Sequence, residues 1–314
     1  MNTSFADDKQ FAWDATSISS SQRCMRYYYY NIVMGYQPKN KSVHLEFGGW
    51  FASGLERFHQ DLATGTEYEQ AVINMVRRAL MDTWNHGKDP DGNPVKGTGV
   101  PWVAMDRFGV EEKGKSRENL IRTLIWYVTE FKDDDLETYV DSNGVPAVEH
   151  TFKLPVDNDV IFCGHLDRLA VKDDAFFVTD NKTTKAGLAP YYYEQFATDG
   201  QMSMYTFAGK SIFSVPVRGV IIDAAQIMVS FTRFGRSPTF RTDAQLTEWY
   251  DNTMYHIDHV RYLSGEGYFP MNLASCGNYG GCPFRSVCGR DPAVRPNVLK
   301  TDFAIRIWDP LVER

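Results

Sequence analysis

The chain has 314 residues, enough for one large core or two small ones, and its 43% apolar and 14% aromatic content excludes a disordered protein. No uninterrupted apolar run is long enough to span a bilayer, and the opening MNTSFADDKQFAWD lacks the basic start and apolar core of an export signal, so a cytoplasmic protein with no membrane partner is expected. A net charge of −7 excludes coating of nucleic acid by bulk electrostatics, but not an enzyme whose cleft carries its own field.

Residues 1–16 read as a loose arm. Thr16, Ser17, Ser19 and Ser20 then offer N-caps for a helix carrying Cys24, Arg26 and Tyr27 to Tyr30. Four successive tyrosines cannot share one helical face, so some must pack against neighbours. FGGWFASGLERFHQDL, residues 47–62, places Trp50, Phe51, Leu55, Phe58 and Leu62 for burial on a helix. A second helix is expected over 67–84, a loop over 85–101 from its Gly, Pro, Asn and Asp content, and a third helix over 114–140. Strands are expected at 147–154, 159–171 and 175–182, then a helix at 191–209, a strand at 219–232 and a helix at 243–264. That order suits an α/β fold, a mixed sheet flanked by helices.

The stretch Cys163–Lys185, CGHLDRLAVKDDAFFVTDNKTTK, concentrates the chemistry. Alternate strand residues share a face, so Asp180 projects with Lys182 and His165 with Asp167. A polar turn at Lys172 to Asp174 makes a hairpin that sets Asp167 beside Asp180. Two carboxylates and a backbone carbonyl suit Mg²⁺ or Mn²⁺, which favour oxygen ligands and keep waters. Asp167 and Asp180 are the candidate ligands, the Asn181 carbonyl a third, and Lys182 would orient water or stabilise charge building on a phosphate. Glu149, on the preceding strand, is a further candidate acid. The same residues also describe an ordinary hairpin with a charged, solvated face.

The residues in combination say more than either fragment. Gly164-His165-Leu166-Asp167-Arg168, Asp180-Asn181-Lys182-Thr183-Thr184-Lys185 and Gln201-x-x-x-Tyr205, in that order, resemble the RecB-like branch of the PD-(D/E)XK nucleases. The resemblance implies a restriction-endonuclease-like sheet and Mg²⁺- or Mn²⁺-dependent DNA cleavage by Asp167, Asp180 and Lys182. Gln201 and Tyr205, one helical turn apart, would line the site and touch the substrate strand. It also implies a division into an N-terminal arm and helix (1–46), a helical region (47–144), a nuclease core (145–265) and a C-terminal cysteine region (266–314). Ala52 stands where many relatives carry a metal-binding His, with Glu56 and His59 as substitutes on the same helix face.

Cys276, Cys282 and Cys288 fall at steps of six, with Cys24 far away in the chain. Four thiolates could ligate one [4Fe–4S] cluster, while Cys₄ zinc more often shows Cys-x-x-Cys pairs. The arrangement resembles the iron–sulfur subgroup that includes the AddB nuclease domain and the CRISPR-adaptation nucleases, which implies a structural cluster joining the two ends of the chain. Cys163 reads as a small buried hydrophobe. The leading expectation is an exonuclease preferring single-stranded DNA or duplex ends, in a recombination setting like that of small phage nucleases. Any helicase or recombination partner that unwinds DNA for it is expected to be a separate protein. The alternatives are a non-catalytic nucleic-acid-binding module of the same fold and a zinc-stabilised interaction protein.

Overall fold

The computed structural model of the protein describes residues 4–6, 9–39, 42–84, 87–88, 94–95, 98–106, 109–278 and 281–312. Strand β1 (Ala12–Trp13) leads into helix α1 (Ala15–Arg23). Asp14, not a residue of the Thr16–Ser20 run, caps it: Ser17 N donates to Asp14 Oδ1 at 2.9 Å and Asp14 N donates to Ser17 Oγ at 3.1 Å. The helix stops at Cys24, whose backbone is extended, restarts as α2 (Met25–Tyr28) and continues as the π-turn Tyr29–Val33. Tyr28 and Tyr30 are thereby buried, Tyr28 stacking on Trp13 with ring centroids 6.1 Å apart, while Tyr27 and Tyr29 are half-buried.

Helices α3 (Val43–Ala63), α4 (Tyr68–Asp82) and α5 (Arg117–Glu130) form a layer on one face of the sheet. Phe47, Phe51, Leu55, Met75, Leu120 and Leu124 recur at helical spacing and close its core with Ala225 and Ile227 of the sheet. Within 85–101, the short strands Gly87–Lys88 and Pro94–Val95 pair, and residues 85, 86, 89–93, 96 and 97 lie outside the description. The helix expected over 114–140 is shorter: Ser116 caps it, it ends after Glu130, and Glu137–Thr138 is strand β2. The acidic run that follows it turns to the sheet instead, with Asp134 paired to Arg236 and Asp135 2.6 Å from Lys172.

The remaining strands are β3 (Val148–Asp157), β4 (Val160–Lys172), β5 (Ala175–Thr184), β6 (Val217–Ile227) and β7 (Thr232–Phe240). They line up as β7-β6-β5-β4-β1, with β2 and β3 also pairing with β4. The β4–β5 hairpin turns at Asp173 and Asp174, both with positive φ (48° and 58°), a conformation aspartate tolerates better than most residues. Pairing of β5 with β6 is parallel, so the chain must cross over. It does so through α6 (Gly200–Ile212), capped by Asp199, which accepts from the backbone N–H groups of Gln201 and Met202. The single helix expected over 191–209 is thus three pieces, Pro190–Glu194, the 3₁₀ turn Gln195–Ala197 and α6. The strand expected over 219–232 is likewise two strands, since Met228 N donates to Phe231 O at 2.9 Å and reverses the chain into β7.

Helix α7 (Asp243–Gly265) joins α1 and α6 on the second face, where Trp13, Tyr28, Met202, Ala208 and Ile257 pack on Phe162, Val178 and Ile222. The result is a mixed sheet covered by helices on both faces. Segments from near the two ends of the chain pair directly: Phe303–Ile305 lies antiparallel to Tyr36–Pro38, and Arg306 N donates to Gly35 O at 2.8 Å. No helix among the described residues is long and apolar enough to cross a membrane.

Candidate active site

The β4–β5 register pairs Arg168 with Thr179, so its next step sets Asp167 opposite Asp180. Beyond that step Asp167 bonds sideways: the Asn181 backbone N–H and side-chain amide both donate to its Oδ2, at 2.9 and 3.1 Å. Asn181 therefore orients the first carboxylate through its two N–H donors, the contribution the structure assigns to it.

Asp180 is 3% exposed, and Lys182 Nζ lies 2.7 Å from its Oδ2. That oxygen is buried and accepts no hydrogen bond of good geometry, so the ion pair is its contact. Burial raises the Asp180 carboxyl to about 6, Lys182 opposing the rise and the Asp167 charge adding to it. Burial works against the Lys182 charge in turn, yet the carboxylates of Asp180, Asp167 and Asp199 hold its pKa above the ordinary lysine value. Lys182 Nζ also donates to Gln201 Oε1 at 2.9 Å, and Gln201 Nε2 donates to Tyr205 OH at 2.9 Å. Asp180, Lys182, Gln201 and Tyr205 thus form one chain of polar contacts, two of them delivered by the first turns of α6, and Asp167 acts on it through its charge.

A hard divalent cation suits this donor set. Two carboxylates stand at opposed positions of the hairpin, and the buried Oδ2 of Asp180 has the Lys182 ammonium as its contact. Among the described residues no group of three His, Cys, Asp or Glu side chains is gathered around a common point, so Asp167 and Asp180 are the side chains that would hold such an ion, with water able to complete its shell.

Glu149 sits across β4 from Asp167 by the register of Val148 with Arg168 and His150 with Leu166, and it has a positive φ of 46°. His165 is held by Thr151, Nδ1 to Oγ1 at 3.0 Å. Ala52 is half-buried on α3, and Glu56 is half-buried one turn on. His59 does not substitute for a missing ligand: its Nδ1 lies 3.3 Å from Arg168 Nη1, and burial with two neighbouring arginines, Arg168 and Arg236, keeps it neutral.

None of the five cysteines is in a disulfide. Cys24 Sγ accepts from Asn272 N at 3.3 Å, and Cys282 N donates to Cys276 O at 3.0 Å. Cys282 and Cys288 pack beside Tyr30, Phe284 and Phe303. Burial raises both thiols, and the charges of Cys24 and Cys276 at Cys282, and of Cys282 and Cys24 at Cys288, add to the rise. The four share one neighbourhood, although among the described residues they do not close around a metal. Cys163 is buried in β4 as expected, with its thiol pKa pushed up by burial.

Sequence reasoning missed a buried ionic network on the other face of the sheet. Asp223 Oδ2 receives Tyr127 OH at 2.5 Å and Arg236 Nε at 2.6 Å, and Arg236 Nη2 donates to Tyr127 OH at 2.7 Å. The available signal was a lone Asp inside the apolar run VIIDAAQI.

A crystal structure from Eubacterium rectale, provisionally named an exonuclease, is 8% identical, covers 84% of this chain and 85% of that one, and superposes with a TM-score of 0.47. Among curated proteins no sequence matches. The sequence profile of the PD-(D/E)XK nuclease superfamily matches residues 12–289, from β1 through the C-terminal cysteine triplet. A match over that span, with the acid pair and the lysine on adjacent strands of its sheet, places the chain in the PD-(D/E)XK nuclease superfamily.

Proposed function

We propose that the protein is a Mg²⁺- or Mn²⁺-dependent deoxyribonuclease, an exonuclease preferring single-stranded ends. The contact that carries the reading is Lys182 Nζ bridging Asp180 Oδ2 at 2.7 Å and Gln201 Oε1 at 2.9 Å, because it holds an amine beside the acid pair. Asp167 and Asp180 would hold the cation, which would neutralise the phosphodiester and lower the pKa of the attacking water. Asn181 fixes the rotamer of Asp167. Lys182, kept charged by its carboxylate neighbours, faces the charge that builds on the phosphate. Gln201, aligned by Tyr205, restrains the amine from the side opposite Asp180.

Cys24, Cys276, Cys282 and Cys288 are proposed to hold a structural [4Fe–4S] cluster; their all-sulfur donor set suits iron–sulfur chemistry or zinc. Elemental analysis after anaerobic purification is expected to find iron with acid-labile sulfide, whereas zinc alone would reject the cluster. Ala52, in place of a His ligand, supports the second reading, a non-catalytic DNA-binding module. Cleavage of end-labelled single strands in Mn²⁺ decides between them. Asp180→Ala and Lys182→Ala are each expected to lose activity by roughly 10³-fold. Unchanged cleavage in both variants rejects the assigned residues, and an inactive wild type leaves the binding module.

A further inference from the structure

Lys115 is 1% exposed, and among the described residues its Nζ has no hydrogen-bond acceptor. It ends the short 3₁₀ turn Lys113–Lys115 ahead of α5 and reaches across to α3, where Nζ lies 4.5 Å from the Phe47 ring centroid. A buried ammonium without an acceptor forfeits its hydration, and a single ring face replaces only part of it. Such a group in a native fold calls for a partner of opposite charge.

Its surroundings are those of an anion site. Lys185 and Glu112 stand next to it, paired to each other with Nζ to Oε2 at 2.6 Å. His44, in the first turn of α3, is kept below its ordinary pKa by desolvation and by both lysines. The cluster therefore holds two cations, one carboxylate and a neutral imidazole. Lys185 and His44 are exposed, so its outer wall is open. The first turn of a 21-residue helix adds its own positive end.

Its position ties it to the acid pair. Lys185 follows Lys182 by three residues just off the end of β5, about 10 Å at strand rise and on the alternate face, so a nucleic-acid strand touching both passes around the end of β5 over about three nucleotides. Helix α3 is pressed against that same strand end, since a Cβ on Gly48 would stand 3.4 Å from Thr183 Oγ1.

We propose that Lys115, Lys185 and the first turn of α3 form a phosphate subsite that grips the nucleic-acid strand a few nucleotides from the acid pair. Glu112 holds Lys185 in the free protein, and the incoming phosphate displaces it. The proposal rests on the nuclease reading, and binding measured without cleavage separates the two.

Fluorescence-anisotropy titration of a short single-stranded oligonucleotide in EDTA is the test. Lys115→Met is expected to weaken binding roughly tenfold and to reduce the slope of log affinity against log salt by about one unit. Lys185→Ala is expected to weaken it in the same direction, and Lys115→Arg to keep most of the affinity. The Met variant should melt no lower than wild type, because it removes an unpaired buried charge. A loss seen only with a terminally phosphorylated strand assigns the subsite to the strand end. An equal loss with a hydroxyl-ended strand assigns it to an internal phosphodiester. Unchanged affinity and salt slope in both Lys115→Met and Lys185→Ala, or a wild type that binds no strand, overturns the subsite. Undiminished cleavage by Asp180→Ala would overturn the catalytic assignment alone.

Discussion

Asp180→Asn is expected to abolish cleavage and, in EDTA at pH 8, to raise the melting temperature above that of wild type. Both effects come from one buried carboxyl. Its pKa rises from 3.8 to about 6 on folding, so between those values the folded state keeps a proton that the unfolded state has lost. Stability therefore falls as pH climbs from about 4 to about 6 and levels off above, by an amount on the order of 3 kcal/mol. The amide carries no charge and escapes that loss. The gap between variant and wild type should accordingly be small at pH 4 and widest above pH 6, and adding Mn²⁺ should stabilise wild type alone. A gap that does not change with pH would show that Asp180 is not strained by its own charge.

Arg236→Ala is expected to destabilise the protein by about 3 to 5 kcal/mol in denaturant melts. The guanidinium, 14% exposed, neutralises the 1% exposed side chain of Asp223 and lies 3.7 Å over the Phe131 ring. Its removal leaves a buried carboxylate with only the Tyr127 hydroxyl. Replacing both charges, Asp223→Leu with Arg236→Met, should recover most of the loss, because the penalty lies in the unpaired ion rather than in the missing bridge. A double variant as unstable as Arg236→Ala would place the energy in packing around Phe131 and Tyr127 instead.

The parts of the fold that local rules govern could be read in advance. Period-two alternation and the Asp173–Asp174 turn specify the β4–β5 hairpin, and with it the juxtaposition of Asp167, Asp180 and Lys182. Helical spacing puts Gln201 and Tyr205 on one face, but only the resemblance to the nuclease family gives them a place in the site. Long-range pairing was not readable. Asp134 and Asp135 look like a solvated helix end until Arg236 and Lys172 arrive from distant strands. Strand β7 was merged into β6 because the reversal at Met228–Phe231 carries neither Gly nor Pro. Lys115 sits in KGKSRE, which reads as a polar turn, and only the approach of α3 buries it. The positive φ of Glu149 has no sequence signature at all.

The most direct measurement is a crystal structure with Mn²⁺ located by its anomalous scattering. The account predicts an ion held between the Asp167 and Asp180 carboxylates, with Lys182 Nζ beside it and still within hydrogen-bond reach of Gln201. An ion bound elsewhere, with the Asp180–Lys182 pair closed and undisturbed, would contradict it.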